Sequence, residues 1–168
     1  MSTFARLKFL LGTICLLAAA VPATGCRQAG SEADQANVAF VEDDDPKMEA
    51  AKAKGRATLP GFFERMAAPS ADEEGFSVKF NLTPDADAEF IWAGDLKLDA
   101  RGELTGALSN HPMDGRFKLG QRVPIARSDI IDWTYFKNGV AQGHHTTRVI
   151  LEQVTPEEAA EIRAALGW

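Results

Sequence analysis

Apolar side chains recur every three or four positions at Met48, Ala51, Gly55, Leu59, Phe62, Phe63 and Met66, the stripe of a helix with one face on a core. Asp45-Pro46 starts it well, with an aspartate to cap the free N–H groups and a proline at the first turn. Pro60 interrupts the stripe, which predicts a kink or two short helices, the second capped by Thr58. The period then shortens to two. FSVKFNL alternates Phe76, Val78, Phe80 and Leu82 with Ser77, Lys79 and Asn81, a strand with one buried face. Glu89 to Leu98 and Gly102 to Leu108 predict two further strands, joined through the turn residues DARG.

QRVPIA predicts a short edge strand, because Pro124 has no N–H for a central ladder. IIDWTYF and VAQG flank Asn138-Gly139, a strong two-residue hairpin signal. Residues 146–151, TTRVIL, fit a strand or a helix, and their β-branched side chains favour the strand. In the final segment Thr155 and Glu158 bracket Pro156 as a capping box, with Ala159, Ile162 and Leu166 inward and Gly167 at the stop. The expected fold class is α+β: a curled antiparallel sheet with an N-terminal helical segment and a C-terminal helix packed against it.

The first 25 residues follow a different logic. Arg6 and Lys8 precede an apolar run from Phe9 to Val21, then PATGC. The run is shorter than the ~20 residues a membrane span needs, and this is the build of an export signal. ATG followed by Cys26 resembles a bacterial lipobox, with Ala23 where leucine is commonest. Cys15 falls inside the removed segment, which leaves Cys26 as the lone mature thiol. In an oxidising compartment an unpaired thiol is odd unless it is used. The resemblance implies a multiply acylated Cys26 and stable membrane attachment. Arg27 stands where aspartate signals inner-membrane retention, which favours the outer membrane, facing the periplasm.

Residues 26–44 are small, polar and acidic and read as a flexible tether. Val38 to Val41 forms one apolar patch in it, whose alternative fate is docking on the domain as an added edge strand. Residues 45–168 then form a single domain. Loss of Arg6 and Lys8 takes the formal charge from −6 to −8, which disfavours nucleic acid as a partner.

Candidate chemistry concentrates in Asp132-Trp133 and Gly143-His144-His145. H-E-x-x-H, C-x-x-C, G-x-S-x-G and phosphate-loop patterns are all missing. Successive strand residues point to opposite faces, so at most one of His144 and His145 can join His111. A metal requires three or four converging ligands, which carboxylates such as Asp114 and Asp132 could complete. Loop and edge histidines making ordinary hydrogen bonds are favoured instead, and no metal or cofactor is expected. Trp133 reads as a core or rim aromatic sharing a face with Tyr135, and Trp92 as core. Asp132 and Arg148 are expected to form an ion pair closing the sheet.

FSVKF, EFIWAG, GALSNHP, LGQRVPIARSDIIDW and NGVAQGHHTTRVIL follow one another as in a bacterial family, domain of unknown function 2314. The resemblance spans residues 45–151. It is most specific at Ile130-x-Asp132-Trp133 and Gly143-x-x-Thr146-x-Arg148. It supports the domain and implies no activity, substrate or cofactor. The leading expectation is a non-enzymatic envelope domain that binds an envelope protein or a cell-wall component. Its candidate ligand-binding residues are Asn110, His111, Asp132, Trp133, His144 and Arg148. The alternative is a hydrolase or metal-assisted enzyme built on Asn110, His111, Asp132, His144 and Arg148.

Overall fold

The computed structural model describes residues 45–168; the expected signal segment, the tether, Cys26 and the patch at residues 38–41 lie outside them. The first helix, α1, runs from Pro46 to Ala67, and the Asp45 carboxylate accepts from the Lys47 N–H at 2.8 Å. Pro60 does not divide it. A proline inside a helix forfeits one backbone bond and crowds the carbonyl one turn back. Here Arg56 and Pro60 are both exposed, so water can serve that carbonyl, while Leu59 and Phe62 keep packing inward. Thr58 caps nothing; its hydroxyl donates to the Lys54 carbonyl at 2.8 Å within the continuous helix.

Six strands follow: β1 Glu73–Asn81, β2 Phe90–Leu98, β3 Leu104–Leu108, β4 Arg122–Ile125, β5 Ile130–Lys137 and β6 Val140–Gly143. All neighbours pair antiparallel, in the order β4-β3-β2-β1-β5-β6. The link from β4 to β5 forces the curl. In a flat sheet these strands would stand about 19 Å apart, at ~4.8 Å per neighbour. The five residue steps from Ile125 to Ile130 reach only ~16–18 Å even when fully extended, and part of the link is a 3-10 turn at Arg127–Asp129.

The concave side carries the core. Val78, Phe80, Ile91, Ala93, Leu104, Leu108, Val123, Ile125, Ile130 and Tyr135 pack there with Leu59 and Phe62 of α1. Each of the larger side chains contributes roughly 1.5–3 kcal/mol on burial. Asn138 and Gly139 form the β5–β6 turn with φ of 51° and 75°, the pair of left-handed residues whose twist matches the strands.

Residues 146–151 are not a strand. Helix α2 covers His145–Ile150, and the cause is tertiary. Gly143 and His144 are both left-handed, at φ 77° and 50°, and turn the chain away from β5. The Asp132 carboxylate then takes the Thr146 N–H at 2.7 Å and its hydroxyl at 2.8 Å, satisfying first-turn donors that the helix leaves open. Val149 buries against Met48 and Ala51 of α1. The last helix, α3, spans Pro156–Leu166 with the Thr155–Glu158 capping box formed and Gly167 left-handed at its end. Ala159 is buried, and Ile162 and Leu166 are half-buried.

Candidate functional site

Alternation along β5 divides the candidate residues between the two sides of the sheet. Trp133 and Tyr135 face α1, with their rings stacked at 6.0 Å. Trp133 is half-buried, lies 5.4 Å from the Phe62 ring, and donates its indole N–H to the Thr58 hydroxyl at 2.9 Å. His145 meets the Trp133 ring edge-on at 5.6 Å. Thr58, Gly61, Phe62, Arg65, Trp133 and Tyr135 line a shallow cleft of about 330 Å³.

The opposite side holds Asp132, fully buried at 0% exposure. Its Oδ2 accepts both bonds from Thr146, and its Oδ1 accepts from the Trp133 N–H at 2.9 Å. The expected Asp132–Arg148 ion pair is not formed. Arg148 is exposed on α2, and its guanidinium lies over the Trp168 ring at 3.9 Å. With Thr146 filling Oδ2, Asp132 has become the cap of α2 instead. His144 completes the side. Its ring centre is 4.7 Å from that of Trp92 and 6.0 Å from that of Trp168, and its Nδ1 sits 3.0 Å from the Thr147 hydroxyl. Trp92 is therefore not core. Ile91 and Ala93 take the buried face, and alternation sends Trp92 to the other, where it is half-buried.

Asn110 accepts the Trp92 backbone N–H at 3.3 Å. His111 is exposed in the loop and makes no hydrogen bond to any described residue. The structure thus links Asp132, His144, Arg148 and Asn110 around Trp92 and Trp168. It leaves Trp133 on the far side and His111 apart. Among the described residues no three His, Cys, Asp or Glu side chains gather in a metal-ligating cluster.

Lys79 is the residue that sequence reasoning missed. It lies directly across from Trp92 on β2 and from Asp132 on β5. A lysine on the polar phase of a strand reads as solvent-facing. Only the pairing of β1 with β5, distant in sequence, reveals its surroundings. Burial pushes its ammonium pKa below the usual lysine range; Asp132 opposes the shift and Lys52 adds to it.

Burial likewise lowers His144 to about 4, against the attraction of Asp132 and with the help of Lys79, Arg148 and His145. His145 is lowered too, chiefly by burial. The unfolded chain then binds more protons than the folded one between about pH 4 and 6.5, so stability rises with pH across that window. Acidification from pH 6.5 to 4 should remove up to ~3 kcal/mol through His144. His144→Asn, which tolerates the left-handed backbone, should flatten much of that slope in urea melts taken at several pH values. An unchanged slope would mean that other groups carry it.

An open curled sheet with one face under a helix and the other lined by aromatic and cationic side chains defines an α+β domain with a surface site. Residues 45–168 match the profile of domain of unknown function 2314, described as uncharacterised and conserved in bacteria, and the chain belongs to this family. It is similar to the uncharacterised protein YegJ of Escherichia coli (strain K12), 32% identical over 96 residues, 56% of this chain and 62% of the relative. It is also similar to the putative ankyrin repeat protein NMB1133/NMB1171 of Neisseria meningitidis serogroup B, 32% identical over 80 residues, 47% of this chain and 31% of the relative. The chain therefore spans less than two thirds of either curated relative. No solved structure matches it.

Proposed function

We propose that this chain is a lipid-anchored envelope protein, held at the outer membrane through Cys26 and facing the periplasm, whose domain acts by binding rather than by catalysis. The observation that carries the binding reading is the use made of Asp132. The candidate set's one buried carboxylate has no exposed surface and holds α2 and the Trp133 N–H, so a substrate has no path to it as a proton acceptor. His144 makes its side-chain contact to Thr147 rather than to Asp132. What remains is a surface of Trp92, Trp168, Lys79 and Arg148, a recognition surface for an envelope protein or a cell-wall component. The alternative, a hydrolase or metal-assisted enzyme, needs Asn110, His111, Asp132, His144 and Arg148 to meet at one reacting atom, and His111 stands apart.

The anchor is supported by the basic start, the apolar run from Phe9 to Val21 and the small-residue junction before Cys26. Cys26→Ala should shift the protein from the membrane pellet to the soluble fraction and abolish incorporation of labelled palmitate. Wild-type protein that takes up no label and fractionates as soluble would refute the anchor.

A further inference from the structure

We propose that Lys79 anchors an oxyanion site on the sheet face that carries Asp132 and Trp92, taking a carboxylate or phosphate whose small organic body lies against Trp92. The inference deepens the binding reading above and rests on it. Lys79 is half-buried in a row that runs from Trp92 through Lys79 to Asp132 across β2, β1 and β5. His144 stands over the Trp92 end of that row. An ammonium partly withdrawn from water gains from a carboxylate or phosphate partner, and the Lys79 Nζ still reaches the surface where one could bind. The Lys79 ammonium makes no hydrogen bond and no ion pair with any described residue. Asp132, its cross-strand neighbour, is already committed to Thr146 and Trp133.

The surrounding charge has the same sign. Lys52 projects from α1 onto the Phe90 ring at 4.8 Å and raises the local positive potential, although Glu49 pairs with it at 2.7 Å. Arg148 lies beyond His144, over Trp168, with no carboxylate partner among the described residues. A cationic spot on a chain of net charge −6 complements an anion. Thr134 supplies an independent sign of an absent partner. It is buried on the same face, next to Asp132 in the alternation, and its hydroxyl oxygen has no hydrogen-bond partner. The floor beside Trp92 is small and hydroxylated. A side chain added at Gly94 would reach 3.2 Å from the Ser77 hydroxyl and 3.4 Å from that of Ser109, so the glycine keeps that floor low.

The test uses the full chain in detergent micelles, titrated at neutral pH with inorganic phosphate, with glucuronate and with uncharged glucose, read by tryptophan fluorescence. At least one anion should saturate and bind ~10-fold or more tightly than glucose, as a charge-assisted contact to an ammonium requires. Saturation by phosphate alone assigns a phosphate ligand; tighter glucuronate assigns a carboxylate on a ring. Lys79→Met should weaken the preferred anion by ~10-fold or more, Lys79→Arg should largely restore it, and the melting temperature of Lys79→Met should not fall, since it removes a half-buried charge that has no protein partner. Cys26→Ala protein should bind as wild type does, so a failed anchor leaves this assignment standing. Anion binding unchanged in Lys79→Met would overturn the proposal, as would the absence of a saturable response to either anion.

Discussion

Asp132→Ala is expected to cost about 3–5 kcal/mol of unfolding free energy in a urea melt, the range for breaking a buried hydrogen-bonded charge. The carboxylate holds the Thr146 N–H, the Thr146 hydroxyl and the Trp133 N–H, and alanine strands all three in a site with no exposure. Each buried donor left without a partner costs roughly 1–3 kcal/mol. Because α2 is only six residues long, it is marginal without its cap. The loss should appear first as faster amide exchange in residues 145–150. Asp132→Asn keeps one acceptor for Thr146 and should cost clearly less. A variant as stable as wild type would mean that α2 is held by Val149 packing alone.

Gly55→Ala is expected to destabilise the domain by about 3 kcal/mol or more, against the direction that helix propensity gives. In an exposed helix interior the change from glycine to alanine stabilises by ~0.5–1 kcal/mol. Gly55 is buried where α1 crosses β5. A methyl there would overlap the Ile131 carbonyl oxygen and lie 3.1 Å from the Asp132 Cα. Those atoms are backbone in a paired strand and cannot rotate aside, so α1 itself must lift. Gly61, six residues on in the same helix, has no atom within 4 Å of an added methyl. Gly61→Ala should therefore raise stability by ~0.5–1 kcal/mol. Thermal melts of the two variants moving in the same direction would show that α1 does not cross β5 at Gly55.

These residues also mark how far the chain could be read without its fold. Features set by neighbours in sequence were legible. The alternation from Phe76 to Leu82 gave β1, Asn138-Gly139 gave the hairpin, and Thr155 with Glu158 gave the start of α3. Features set by distant contacts were not. Thr146, Thr147, Val149 and Ile150 favour a strand by their branching, but a carboxylate 14 positions away caps them into a helix. Gly55 read as one more position in a stripe, with nothing local to say that a strand passes beneath it. Trp92, between Ile91 and Ala93, reads as core, but its phase in β2 puts it on the other face. Asp132 reads as an ion-pair partner of Arg148, but its partner is Thr146, and Arg148 turns to Trp168 instead.

The two ends of the sheet carry a consequence for behaviour at high local concentration. An open sheet offers unpaired peptide groups along its outer strands, which template the addition of a strand from another molecule. β4 is a poor template: it has four residues, no donor at Pro124, and the exposed charge of Arg122. At the other end the Trp168 indole N–H bonds the Ala141 carbonyl of β6 at 3.0 Å. Gly167 sits so close to the Gly139 carbonyl that no side chain would fit between them. Many copies crowded onto one surface should therefore remain separate molecules, since neither rim of the sheet is free to zip onto a neighbour and seed a fibre.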